Sequence, residues 1–204
     1  MIPVRPQPEP HNFHVKVRQP GAAFLAVTPN PTHAQFSKAG FWKNAAQEVY
    51  EAYSRVCAYT CRYLDVPNGS IDHFRSKSAF PQQAYEWSNF RLCMHRVNGH
   101  KGIQEVIDPF SVKPGWFVID FPSCLVRPGD GLDDETRDRV MATIAALKLN
   151  DDDSFVQDRC DVMYMFAQGE VALGYLTKRR PFLAQEVVRQ GIEESAADLF
   201  KMPS

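Results

Sequence analysis

Apolar positions from Thr32 to Arg55 recur near a 3.6-residue period, through Phe36, Ala39, Phe41, Trp42, Ala45, Ala46, Val49, Tyr50 and Tyr53. They predict one short and one longer amphipathic helix broken at Gly40, with the aromatic side chains forming a core stripe. Ahead of them, residues 1–31 hold seven of the fifteen prolines, and Phe13 to Val27 mixes β-branched and polar residues around Pro20-Gly21. That mixture predicts an extended arm with two short edge strands, since proline cannot donate to a ladder.

Downstream, Trp116 to Phe121 reads as a strand, Pro122-Ser123 as a turn and Cys124 to Arg127 as the partner strand, giving a hairpin. Asp133 or Asp134 can cap a helix with apolar positions Val140, Met141, Ile144, Ala145 and Leu147, stopped at Asn150. The three consecutive carboxylates Asp151 to Asp153 point in different directions on any regular backbone, so they suit helix capping better than a metal. A second stripe through Phe155, Val156, Cys160, Met163, Tyr164 and Phe166 predicts an antiparallel helix pair. Val171–Lys178 and Pro181–Gln190 read as further helices, and the tail from Glu193 is weakly specified.

Between these flanks, Ser70 to Asp72 reads as a strand ending at His73, Asn89 to Cys93 as a second strand, and Met94 to Lys101 as a helix ended by Gly102. The expected fold class is therefore α+β: two strands and a helix embedded in a mostly helical single domain, 1–204, with an additional β-hairpin. Its parts are an arm at 1–31, supporting helices at 32–56, the strand-strand-helix motif at 57–102, and a hairpin with helical scaffold at 103–204.

The chain has 204 residues, 44% of them hydrophobic and 12% aromatic, enough for one substantial core. No run of eighteen apolar residues exists, and the start MIPVRPQPEP is Pro-rich where a signal peptide would be apolar. A soluble, cytoplasmic protein with no membrane partner is expected. The formal net charge of -1 carries no global nucleic-acid signature. Locally, Arg55 to Gly102 holds seven basic against three acidic side chains, whereas Gly129 to Asp161 holds ten acidic against four basic. A polyanion should be drawn to the central stretch.

That stretch also holds the candidate chemistry. Hydrolysing a phosphodiester with one divalent ion needs a base to activate water, something to orient the base, and hard ligands for the ion. A strand from Ser70 to Asp72 that ends at His73 lets Asp72 and His73 reach one pocket; Asn89 follows a Trp-Ser turn; Asn98 and Lys101 share a helical face. His11 and His14, spaced His-x-x-His in a segment expected to be extended, would face apart and read as surface residues.

The segments Asp72-His73-Phe74-Arg75-x-Lys77-Ser78, Tyr85-x-Trp87-x-Asn89-x-x-Leu92 and Asn98-x-x-Lys101-Gly102 resemble the HNH endonuclease family, in a variant whose last member is Asn. More narrowly, the chain is similar to HNH proteins of bacterial anti-phage systems, including retron-associated and Septu-type nucleases. Cys57-Ala58-Tyr59, Asp108-Pro109, and Leu147-x-Leu149-Asn150 followed by Arg159 add to the likeness.

The resemblance implies a ββα-metal fold and an endonuclease active on DNA or RNA, with a role in antiviral defence and an ATPase partner. It implies His73 as general base, Asn89 fixing the His73 loop or ring, and Asp72 and Asn98 holding one Mg²⁺ or Mn²⁺ ion. Arg75, Lys77 and Lys101 would contact phosphates, as their charge independently suggests. His100 competes with Asn98 as the last motif residue, but the nine-residue step from Asn89 favours Asn98.

Many HNH proteins carry two Cys-x-x-Cys pairs around a structural zinc. Here only Cys57-x-x-x-Cys61 and Cys93 with His95 remain, and buried thiols rather than zinc are expected. The alternative reading is a catalytically silent subunit of the same fold that binds nucleic acid or a protein partner.

Overall fold

Phe13, Val17, Gly21 and Phe24 recur every three to four residues, and the first three are buried. That spacing is helical. Where edge strands were expected, a π-helical turn at His14–Arg18 runs directly into α1, Gln19–Val27. Pro20 is no obstacle because it stands in the first turn of α1, where a missing N–H loses no intrahelical bond.

The computed structural model describes residues 1–65 and 68–200; the last four residues of the weakly specified tail fall outside it. Its class is α+β, with two antiparallel hairpins among short helices. Among the described residues, no helix is long and apolar enough to cross a membrane. Backbone contacts group the chain into two compact units. One comprises Arg5–Cys57 and Leu64–Ile103; the other comprises Met1–Val4, Ala58–Tyr63 and the chain from Gln104 onward.

In the first unit, α2 (His33–Lys38) starts at a capping box in which the Thr32 hydroxyl accepts from the Gln35 N–H. Gly40 separates it from a 3-10 turn, Phe41–Ala45, that leads into α3, Ala46–Ala52. The expected longer helix is thus split, its first part wound as 3-10. Strands β1 (Gly69–His73) and β2 (Phe90–Met94) then pair antiparallel. Helix α4 (His95–Lys101) follows at once, and Gly102 at φ +50° closes it with its N–H on the Asn98 carbonyl.

Tyr85, from the loop joining the strands, packs among Phe24, Phe36, Phe41 and Trp42, and its hydroxyl donates to the Ala39 carbonyl at 2.8 Å. Gly21 permits this, because a Cβ there would overlap the Tyr85 ring.

In the second unit, β3 (Phe117–Asp120) and β4 (Leu125–Pro128) form the other hairpin. Helix α5 (Asp134–Ala146) is capped by Asp133, which accepts from the Thr136 N–H at 2.8 Å. Helix α6 (Asp153–Ala167) is capped by Asp152, so the acidic run caps a helix as its chemistry suggested. Then come α7 (Leu173–Arg179), α8 (Pro181–Gln190) and α9 (Ala196–Leu199).

The expected α5–α6 pair is replaced by other partners: α5 packs on β4, α6 on α9, and α7 on α8. Each apolar stripe finds a separate neighbour because Lys148, at φ +52°, turns the chain sharply between α5 and α6. Asn150 and Arg159 secure that corner. The Asn150 side chain accepts from the Val126 N–H and donates to the Val126 carbonyl, and Arg159 donates to the carbonyls of Cys124 and Leu149.

Candidate functional site

Antiparallel register sorts the first hairpin into two faces. Ser70 opposes Cys93 and Asp72 opposes Arg91 on one face; Ile71 opposes Leu92 and His73 opposes Phe90 on the other. Asp72 and His73 therefore diverge: the strand runs through His73, which still pairs with Phe90, so the two side chains do not turn into one pocket as expected.

Helix α4 lies on the Asp72 face through two rungs. Asn98 donates from Nδ2 to the Ser70 hydroxyl at 3.1 Å, and Lys101 donates from Nζ to Asp72 Oδ1 at 3.0 Å. Residues three apart on the helix meet residues two apart on the strand, so the expected pair Asp72 and Asn98 does reach one side of the hairpin. Lys101 differs from expectation. Its side chain is 2% exposed and that of Asp72 is 3%, which removes this lysine from any phosphate at the surface. The Lys101 ammonium also donates to the carbonyls of His73 at 3.3 Å and Phe74 at 3.1 Å.

On the opposite face, the His73 ring stands edge-on to Trp42 and to Phe90, with centroids 4.9 and 5.3 Å away. Its Nε2 lies 2.8 Å from the Ala84 carbonyl, which can only accept, so the proton is on Nε2 and Nδ1 keeps its lone pair. Burial, and then the positive charge of Lys77, push the imidazole down to about 3, with Lys101 acting in the same direction and the Ala84 hydrogen bond opposing. His73 is neutral at any physiological pH.

Asn89 ends the short 3-10 turn Trp87–Asn89 and is buried. Its Oδ1 accepts from the Arg75 N–H at 2.7 Å, while Nδ2 donates to the carbonyls of Arg75 and Gln83, each at 3.0 Å. It thus fixes the backbone of the loop after His73, leaving the ring to Ala84, Trp42 and Phe90. Arg75 is exposed beside the Phe80 ring, and half-buried Lys77 sits 5.3 Å over the Trp42 ring. Burial lowers the Lys77 ammonium's affinity for its proton, with Asp72 opposing.

Cys57 and Cys93 are buried neighbours, with Cys57 Sγ accepting from the Met94 N–H; burial, then Cys57, hold the Cys93 thiol well above its usual range. Cys61 falls in the other unit, and His95 is exposed on α4. No disulfide joins any of the five cysteines. Among the described residues, no three of His, Cys, Asp or Glu come together as a metal cluster.

The oxygen donors suit a different ion. The Asp72 carboxylate and the carbonyls of His73 and Phe74 converge on one ammonium, with the Asn98 amide on the same face. Mg²⁺ and Mn²⁺ take hard oxygens of this kind, and here the lysine ammonium occupies them. No protein-family model and no curated protein sequence matches this chain.

Several residues that shape the site carried no signal of their own in the sequence. Trp42 and Ala84 position His73, and Ser70 receives Asn98. Buried Arg91 donates to the carbonyls of Ser88 and Phe90 and lies 5.2 Å from the Phe74 ring. Two-residue alternation back from Asp72 points to Ser70, and strand pairing points to Arg91. Nothing local points to Trp42, thirty-one positions before His73.

Proposed function

We propose that the chain is a metal-dependent phosphodiesterase acting on nucleic acid, an endonuclease of the HNH type with a ββα-metal site. The observation carrying this reading is that α4 lies on the hairpin so that Asn98 and Lys101 reach Ser70 and Asp72, with His73 ending the same strand. A divalent ion held by Asp72 and Asn98 would supply Lewis-acid stabilisation of the phosphate and of the leaving oxygen. His73, whose ring lies on the opposite face from Asp72, would take the proton of the attacking water through Nδ1, while Nε2 keeps its hydrogen bond to Ala84 and holds the ring in place. Asn89 keeps the Arg75 backbone still, and the Arg75 and Lys77 side chains bind the flanking phosphates. A phosphate beside Lys77 offsets one of the charges that depress His73, so substrate raises the basicity of the base that acts on it.

A second reading, a silent subunit that binds nucleic acid or a protein partner, draws on the same histidine. His73 is only 7% exposed, which restricts access of a water to its ring. Incubating the protein with plasmid DNA, single-stranded RNA and transfer RNA in Mg²⁺ and in Mn²⁺ separates the two. Cleavage that chelator and His73→Ala both abolish supports the nuclease; binding without cleavage, or full activity in His73→Ala, overturns it. An antiviral role and an ATPase partner rest on the resemblance alone, and plaque counts in cells with and without the intact chain test the first.

A further inference from the structure

Cys124 and Cys160 come together within the second unit, away from the proposed catalytic centre. Cys124 ends the turn between β3 and β4, and Cys160 lies on α6. Two contacts bring the helix onto that turn. Arg159 donates from Nε to the Cys124 carbonyl at 2.6 Å, and Cys160 Sγ lies 3.9 Å from the Ser123 carbonyl oxygen. The Cys124 thiol hydrogen-bonds to Cys160, so the two sulfurs are direct neighbours. Cys124 also stands at φ +57°, a left-handed conformation that glycine adopts without penalty, and its side chain is fully buried. The chain keeps a cysteine where the backbone alone favours glycine.

Their surroundings give the two thiols different chemistry. Cys160 is half-buried and open to a small solute, and the Arg159 guanidinium is close enough for its charge to act on both sulfurs. A guanidinium in that position attracts the negative charge that a sulfur carries when it attacks. Cys124 is sealed from solvent. Burial, then Cys160, hold its thiol up, with Asp120 adding and Arg159 opposing, so it keeps its proton until a partner sulfur is oxidised. An accessible sulfur beside a cation, in contact with a buried and protonated one, has the arrangement of an attacking thiol and its resolving partner.

We propose that Cys160 and Cys124 form a reversible disulfide on reaction with hydrogen peroxide, Cys160 attacking and Cys124 resolving. The deprotonated Cys160 sulfur attacks one peroxide oxygen and the O–O bond breaks. The departing hydroxide takes up the proton that Cys160 released, which leaves water and a sulfenic acid on Cys160. The Cys124 sulfur then attacks the Cys160 sulfur, the S–O bond breaks, and the departing hydroxide takes the Cys124 proton as a second water. Two thiols are oxidised and one peroxide is reduced to two waters. A low-molecular-weight thiol reverses the bond by exchange. The disulfide pins the β3–β4 turn to α6, at the corner that Arg159 and Asn150 already hold by hydrogen bonds. None of this depends on the nuclease reading.

The test treats the folded full chain with hydrogen peroxide, alkylates the remaining thiols, and reads the tryptic peptides by mass spectrometry. The expected result is loss of two of the five thiols, with the Cys124 peptide joined to the Cys160 peptide, and recovery of both thiols in dithiothreitol. Cys57 and Cys93, also neighbours but both sealed from solvent, are the internal control and stay reduced. In Cys124→Ser the sulfenic acid on Cys160 has no resolving partner and is trapped by dimedone; in Cys160→Ser the Cys124 thiol survives. Where either variant does not fold, the joined peptide in the wild-type chain decides alone. Unchanged thiols, a Cys57–Cys93 bond that forms first, or oxidation of Cys160 without the joined peptide overturns the proposal.

Discussion

Asn89 pairs with Arg75 as one strand residue pairs with another: its side-chain oxygen accepts from the Arg75 N–H and its side-chain nitrogen donates to the Arg75 carbonyl. In the other unit Asn150 treats Val126 in the same way, at 2.9 and 2.7 Å. A primary amide carries a donor and an acceptor in the geometry of a peptide group, so it can close a ladder where the main chain turns away.

Asn89→Ala leaves the partners of three hydrogen bonds unsatisfied and is expected to cost about 3 kcal/mol of stability, measured by urea unfolding. Amide hydrogen exchange at Arg75 should rise by more than the global loss of stability. Uniform change across the chain would mean that Asn89 does not hold this loop.

Removing one partner of the buried pair is expected to be worse than removing both. Asp72→Ala strands the Lys101 ammonium among two carbonyls and should lower unfolding free energy by about 3–5 kcal/mol. Asp72→Leu combined with Lys101→Met should recover part of that, since the carbonyls of His73 and Phe74 still lose a donor. A double variant no more stable than Asp72→Ala would show that the charges are not coupled.

Acid should weaken the first unit through His73. Its ordinary value is 6.5 and its folded value about 3, so between those limits the unfolded chain binds the proton more readily. The contribution is fully present above about pH 6.5 and is lost as pH falls toward 3, at about 1.4 kcal/mol per pH unit from this group. The positive charges of Lys77 and Lys101 act on His73 in the same direction as burial. His73→Phe should flatten the dependence of urea midpoint on pH between 6.5 and 4. An equally steep dependence in the variant would assign the acid sensitivity elsewhere. By the same argument, cleavage should show no inflection near pH 6.5 from this base.

Gly21→Ala should destabilise by about 1–3 kcal/mol, because the added methyl overlaps the ring of Tyr85, which packs with Trp42 beside His73. The same variant should reduce cleavage by shifting the loop that carries Ala84. Wild-type stability and rate together would show that the ring has room to move aside.

Much of the local architecture was legible in the chain. Strand alternation, the Trp-Ser turn and Gly102 mark β1, β2 and α4 to within about two residues, and Asp133, Asp152 and Pro181 mark helix starts as capping chemistry requires. The helical N-terminal arm is masked in the sequence because its prolines dominate the composition. The helical recurrence of Phe13, Val17, Gly21 and Phe24 includes a glycine, which no hydrophobic pattern counts. The partners of α5 and α6 are not legible because an apolar stripe states that a helix is buried and not against what.

For the central stretch, the order of residues alone determined that Asp72 and His73 sit at a strand end, and that Asn98 and Lys101 share one side of a helix. Those are consequences of backbone period. Only the tertiary structure decided that Lys101 turns inward onto Asp72, that Trp42 and Ala84 enclose His73, and that Asn89 grips the Arg75 backbone. Each of these joins residues separated by eleven to thirty-one positions through hydrogen bonds or ring contacts whose strength depends on burial, and burial is a property of the packed chain.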